Sequence, residues 1–402
     1  MKFTVNSNEL STLLQNVGRL VPASNISMPA LANYLFEVTP ERISVTGGDT
    51  MMRSAGVIAP LECDGGMRFL IAPTPLLDYI KSLPVQPLTM EMQTTEEGAR
   101  FIHLIHSTGY LDIPIGDADL YVSRESPEDT EGAAMMSMNS SSLLAGISAV
   151  LPAAYPDTSR EQLHGVHFVM LTDRLELCAT DNVQLVRYID YDARIVEKEG
   201  EVAQASLRDP SFTLPIKVSS FLQSILPNFA NEEALVIFNN KQVEVRFGTY
   251  NVVSQVSVLD FPNYNGLLPD AMTYMIEIDG QVLQRATTRV NYLSNIVGLG
   301  ADASLICITF EEHAMVMKGG FYAQGANTPG VDVEERIPVD YPEQMEGMQI
   351  TFKTNTFIKF LKAFNAESLQ LHITNATQPI MITPTKVADQ TDLRGITAPV
   401  RI

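Results

Sequence analysis

Lys2-Phe3-Thr4-Val5, followed by Asn8-Glu9-Leu10-Ser11-Thr12-Leu13-Leu14-Gln15-Asn16-Val17, decides the fold, because its pattern returns twice further along the chain. Met136-Ser137-Met138 precedes Ser142-Leu143-Leu144-Ala145-Gly146-Ile147-Ser148-Ala149-Val150, and Tyr274-Met275-Ile276-Glu277-Ile278 precedes Gly280 through Val290. Each copy is a short alternating strand, a polar capping residue and an amphipathic helix with apolar positions three and four apart. The copies recur roughly every 135 residues, a period that marks a repeated architecture. Strand pairs follow each helix: Ala32–Val38 with Ile43–Asp49, Gly165–Met170 with Leu175–Asp181, and Leu305–Phe310 with Ala314–Gly320. Short turns between such runs predict hairpins. A second strand–helix unit then appears in every copy: Phe69–Pro73 into Leu76–Leu83, Phe212–Pro215 into Val218–Leu226, and Ile350–Lys353 into Phe357–Phe364. Linkers fall at Ser123–Gly132 and Leu267–Ala271, where Pro, Gly and acidic residues cluster. The expected fold is therefore α+β, with three similar domains over 1–125, 134–266 and 272–402, each carrying two helices on antiparallel sheets.

Composition narrows the function class. The 402 residues are 45% hydrophobic and 18% charged, which describes an ordered protein with a sizeable core. No apolar run reaches the roughly 18 residues of a membrane helix, so no membrane partner is expected. Met1 to Val5 alternates like a strand and is unlike a signal peptide. Cys63, Cys178 and Cys307 are scattered in apolar stretches, which favours buried reduced thiols in a cytoplasmic protein. A net charge of −20 disfavours tight phosphate contact, since non-specific DNA affinity comes from Lys and Arg. It leaves open a protein that holds DNA by topology, acidic outside and mildly basic on one inner face.

Enzymatic chemistry finds little support. His164 and His167 are three apart on an expected strand and point to opposite faces, so they make no chelating pair. Asp49 and Asp181 recur at equivalent repeat positions, but a turn accounts for them as well as a general base does. No Gly-rich phosphate loop, nucleophile triad or metal cluster appears, and no catalytic residue, cofactor or metal is expected. The alternatives are a repeat-built enzyme using Asp49 and Asp181, which Gly319-Gly320 in the third copy weakens, and an inert assembly scaffold.

Taken with the repeat, the opening Lys2–Val5, Leu175 through Asp181, Asp260-Phe261-Pro262-Asn263-Tyr264 and the terminal Ala398-Pro399-Val400-Arg401-Ile402 resemble the bacterial sliding clamps, the beta subunits of DNA polymerase III. The resemblance covers essentially the whole chain. It implies the DNA clamp fold, a head-to-tail homodimeric ring around double-stranded DNA and no catalysis of its own. It also implies partners: the polymerase III alpha subunit, the clamp loader, repair polymerases and other proteins bearing a clamp-binding motif. The partner-peptide cleft would comprise Leu163, Thr180, Leu185, Pro262, Leu267, Ile396, Pro399, Val400 and Arg401. Burying two apolar anchors there would contribute roughly 3–6 kcal/mol, less the cost of ordering the peptide. Candidates for facing DNA are Arg19, Lys81, Lys217, Arg285, Arg289, Lys353, Lys359 and Lys362, while Tyr110, Tyr292 and Leu293 are candidates for the dimer interface. The chain departs from the familiar pattern at Asn182-Val183-Gln184, Gly266 and Ala398, so a less basic cleft is expected.

Overall fold

The computed structural model describes residues 1–25, 27–122, 126–130, 133–196, 210–269, 272–296, 305–320 and 332–400, with their side chains apart from those of 292–296, 320 and 332. In the first third, β1 (Lys2–Asn6) leads into α1 (Ser7–Gly18), then β2 (Tyr34–Val38), β3 (Ile43–Gly48) and β4 (Met52–Ile58). The two-residue β5 (Glu62–Cys63) and β6 (Met67–Ile71) precede α2 (Pro73–Ser82), β7 (Pro87–Thr94), β8 (Arg100–His106) and β9 (Gly109–Gly116). The middle third repeats the order with β10 (Ala134–Asn139), α3 (Ser140–Val150), β11 (Gly165–Met170), β12 (Leu175–Thr180) and β13 (Gln184–Asp190). After the short β14 (Arg194–Ile195) come β15 (Ser211–Pro215), α4 (Ile216–Ile225), β16 (Glu233–Phe238), β17 (Gln242–Phe247) and β18 (Tyr250–Gln255). The last third has β19 (Tyr274–Asp279), α5 (Gly280–Ile296), β20 (Leu305–Glu311), β21 (Ala314–Gly320) and β22 (Asp332–Pro338). It ends with β23 (Gln349–Lys353), α6 (Thr354–Leu361), β24 (Ser368–Ile373), β25 (Ile380–Pro384) and β26 (Thr391–Thr397).

All six expected helices are present, each running directly out of a strand. α1 shows why. Asn6 stays extended and its side chain accepts the Asn8 amide, satisfying one of the donors a helix start leaves open. Leu10, Leu13, Leu14 and Val17 then bury one stripe, while Thr12 and Gln15 face solvent. α6 stops at Leu361, short of the expected Phe364, and α5 runs past Val290 to Ile296.

The described residues form two compact units, one built mainly from Met1–Ser141 and Phe221–Val256, the other from Ser142–Ile195, Asp209–Ser220 and Ser257–Ile402. Compactness follows the sheets, because strands of different thirds pair edge to edge. In the first unit the order β10-β16-β17-β18-β4-β3-β2-β6-β9-β8-β7-β1-β5 is continuous, and β18 of the middle third pairs with β4 of the first. In the second, β15-β11-β12-β13-β26-β25-β24-β19 is continuous through β13 and β26, and β22-β21-β20-β23 forms a separate sheet. The described pairings are antiparallel, with buried residues alternating inward, as in Phe3, Val5 and Leu88, Met90.

The β4–β18 junction packs tightly. Tyr250 lies directly opposite Gly56, and the buried Asn16 of α1 donates to its hydroxyl at 3.0 Å. A Cβ on Gly56 would stand 2.4 Å from Leu13 and 2.6 Å from the Tyr250 ring. Gly56→Ala is expected to destabilise the first unit by about 1–3 kcal/mol through overpacking. A lower urea midpoint with unchanged secondary structure would be the signature.

Candidate functional site

The apolar site begins on the β13–β26 pair. Leu185 and Ile396 are cross-strand partners, 5% and 9% exposed, and cluster with Cys178, Tyr264 and Leu268. Just past the ends of both strands the Ala398 amide donates to the Val183 carbonyl at 2.9 Å, which carries the pairing one step further. Beyond the pair, the Val400 amide donates to the Thr351 carbonyl at 2.7 Å, which fastens the described end of the chain to β23. Together these elements wall a largely apolar groove of about 200 Å³, lined by Asn182, Val183, Phe352, Lys353, Phe357 and Thr397 to Val400, with Thr356 also on its wall.

The turn that carries Asn182 and Val183 is fixed by Asp181. Its Oδ1 accepts the amides of Val183 and Gln184, both at 2.9 Å, and its Oδ2 accepts Gln184 Nε2 at 3.0 Å. Asn182 takes the left-handed conformation, φ 73°, which Asn tolerates better than most residues. Asp49 makes the same turn in the first third, accepting the amides of Met51 and Met52 at 2.8 and 2.9 Å. The recurring aspartates are thus turn residues in both copies, which removes the observation on which the enzyme alternative rested.

On the other side of the cluster, the segment after β18 is held down by aromatic and polar contacts. Tyr264 donates to Glu176 at 3.1 Å, Arg174 Nε donates to the same carboxylate at 2.8 Å, and burial pushes the Tyr264 phenol up from its ordinary pKa. Phe261 stacks on His167 at 4.2 Å with planes 7° apart. His164 sits outside the strand, at the end of the 3-10 turn Thr158–Leu163, and bonds the Tyr155 carbonyl; His167 bonds Thr213. The two histidines do not converge, and among the described residues no group of three His, Cys, Asp or Glu could hold a metal.

Of the expected cleft residues, Leu163, Thr180, Leu185 and Ile396 are buried, Leu185 and Ile396 within the apolar cluster, and Pro399 and Val400 line the groove. Pro262 is exposed and lines a separate hollow with His167, Phe261 and Tyr264, and Leu267 is 52% exposed while its neighbour Leu268 takes the buried place against Leu185 and Ile396. Leu268, Val183, Phe352 and Phe357 were not among the expected cleft residues; Leu268 adjoins Leu267 and Val183 lies two before Leu185, whereas no expected cleft residue lies near Phe352 or Phe357 in sequence. Arg401 lies outside the described residues. So do the side chains of Tyr292 and Leu293 in the last turns of α5, whereas Tyr110 on β9 is 63% exposed. The expectation of three buried thiols needs correction: all three cysteines are free, but only Cys178 is fully buried, Cys63 and Cys307 lying at strand positions that are half-covered.

The eight basic candidates are all exposed. Arg289 makes a two-pronged ion pair with Glu335, Arg285 donates to Gln281, and Arg19 donates to Ser224. The helices are poor in acid. Within α1 to α6 the carboxylates are Glu9 and Asp78, against Lys81, Lys217, Arg285, Arg289 and Lys359, although the whole chain has 47 acidic and 27 basic residues. No helix among the described residues is long and apolar enough to cross a membrane.

Residues 1–105 match the family model for the DNA polymerase III beta subunit, N-terminal domain. The beta sliding clamp of Synechococcus elongatus is 23% identical over 392 residues, 96% of each chain, and that of Pseudomonas putida is 21% identical over the full length of both. Over its whole length the chain is similar to beta sliding clamps. Solved structures agree on the fold: the Pseudomonas aeruginosa clamp superposes with a TM-score of 0.81 at 20% identity over all of both chains. The Thermotoga maritima beta subunit superposes at 0.80 and 20%, covering 100% of this chain and 99% of that one. The α+β class expected from the repeat and the clamp fold that the resemblance implied are therefore the fold of the chain.

Burial holds His167 down to a pKa of about 4, and Thr213, whose hydroxyl donates to the Gln162 carbonyl, accepts from its Nδ1. Unfolded histidine binds a proton near pH 6.5 that the folded site refuses, so stability rises with pH between about 4 and 6.5 and is lost as pH falls through that window. In His167→Phe, which keeps the stacking on Phe261, the urea midpoint should fall less between pH 6.5 and 4 than in the wild type. Equal slopes would show that His167 is charged when folded.

Proposed function

We propose that the protein is a non-catalytic sliding clamp that encircles duplex DNA as a homodimeric ring and tethers polymerase and other replication and repair proteins through the apolar cleft on β13 and β26. The carrying observation is similarity to beta sliding clamps over the full chain. Charge segregation supports it. Helices that face DNA in such a ring must not repel phosphate, and in these six, basic residues outnumber acidic ones although the chain's net charge is −20. Affinity for phosphate stays low, so retention rests on enclosure, and sliding meets little salt-dependent friction.

Ring closure follows from the repeated junction. Ser54 of β4 faces Val252 of β18, and Val186 of β13 faces Gly395 of β26. Each third can be counted from residues four ahead of its helices: Phe3, Met136 and Ile276 for the first helix, Phe69, Phe212 and Ile350 for the second. Following the strand ladders outward from them, Val252 and Gly395 correspond to Leu111 of β9, and Ser54 and Val186 to Val333 of β22. Among the described residues, β22 pairs only with β21, and β9 pairs with β8 except at its last two residues. Two such open edges invite pairing. A third junction, β22 of one copy on β9 of the other, uses both and closes a head-to-tail ring. It sets Tyr110 opposite Glu334 and Leu111 opposite Val333.

The enclosure is tested by loading the protein on nicked circular DNA with a cognate loader and then cutting the circle. The clamp should stay on the intact circle in about 0.5 M salt, where phosphate contacts are screened, and leave within minutes of linearisation. Retention unaffected by cutting would mean direct DNA binding and would exclude the ring.

A further inference from the structure

We propose that Lys353 belongs to the peptide cleft, and that the groove beside it takes a bulky apolar side chain followed directly by a carboxylate. This rests on the cleft reading above and specifies its occupant. Lys353 is the last residue of β23 and the N-cap of α6, and its side chain is exposed. It lines the groove formed by Val183, Phe352, Phe357, Ala398 and Val400, and among the described residues it is the sole charged one in that lining.

Three features fix the electrostatics. Asp181, next in sequence to the lining residue Asn182, is absent from the lining and is held by the Val183 and Gln184 amides and the Gln184 side chain. Gln184 itself is buried, 2% exposed, and brings no charge to the rim. α6 starts without a capping side chain from Lys353 and places Thr356 and Phe357 of its first turn on the groove wall, beside the positive end of the helix dipole. In a chain of net charge −20, an apolar groove whose described lining holds one cation and no anion is selective. It accepts an apolar side chain by burial and rejects a basic neighbour by repulsion. The carboxylate adds modestly, as an exposed pair does, which suits discrimination between partners over tight binding.

The test uses the full-length protein and three fluorescein-labelled peptides, Ser-Leu-Ser-Leu-Phe-Xaa-amide with Xaa as Asp, Asn or Lys, in anisotropy titrations. The wild type should bind the Asp peptide about five-fold tighter than the Asn peptide and the Lys peptide least, with the spread collapsing at high salt. Lys353→Glu should reverse the order, and Lys353→Arg should keep it. Deleting Ala398 to Ile402 should abolish binding of all three. Equal affinities in the wild type, unmoved by Lys353→Glu, would overturn the carboxylate preference while leaving the cleft in place. No binding of any peptide to the wild type would overturn the cleft and this inference together. A Lys353→Glu variant that loses loading on circular DNA but keeps the peptide order would return Lys353 to the DNA-facing set.

Discussion

An antiparallel sheet cannot leave its edge strands bare without consequence, and this constraint governs the molecule. Each third of the chain makes two small sheets, and each of those would end in unpaired backbone groups. The chain settles two of these edges internally, β4 on β18 and β13 on β26. Side chains are shaped to the junctions: Gly56 leaves room for Tyr250, and Gly395 lies where a Cβ would meet Phe360 and Phe364. At the second junction Arg187 and Arg394 both reach Asp392, at 3.0 and 3.1 Å. The same junction sets Leu185 beside Ile396 in the apolar cluster of the second unit. In the proposed function, architecture and partner docking share this strand pair.

Charge is distributed to match. The chain carries its acid on strands and loops, as in Glu334, Glu311 and Glu312 around β21 and β22, where Arg336 and Lys318 answer them in a local network, and in Glu335, which Arg289 answers. Exposed pairs of this kind contribute little to stability individually, but they keep the sheet surface polar. The helices stay nearly free of acid, and α3 has no charge at all. A protein that must remain near phosphate without adhering to it needs this separation more than it needs a strongly basic face.

Much of this was legible in the sequence, and the reasons for the exceptions are physical. Helix existence was readable because a strand, a cap and a 3.6-residue stripe are all local: Asn6 and Leu10 to Val17 declare α1 without help from elsewhere. Asp49 and Asp181 were readable as turn residues for the same reason. Which strands of different thirds meet was not readable, since Gly56 and Tyr250 are almost two hundred residues apart and nothing local marks either as an edge. At the site, Leu267 and Leu268 are chemically identical, and only the path of the segment after β18 decides which is buried. Lys353 illustrates a third limit. Its type and spacing beside a helix fit a DNA-facing role, and only the position of the chain's end across β23 reveals an apolar wall next to it.

The central claim is that the two remaining edges, β9 and β22, close on a second copy in the register of the internal junctions. Leu111→Cys and Val333→Cys introduced together place the two thiols opposite each other across that junction, within the Cα separation a disulfide tolerates. Under mild oxidation the double variant should run as a covalent dimer on non-reducing gels, beyond any background from Cys63, Cys178 and Cys307, and each single variant should remain monomeric. A double variant that stays monomeric while sedimenting as a dimer, or a stronger cross-link from the slipped pair Tyr110→Cys with Val333→Cys, would contradict the junction as described.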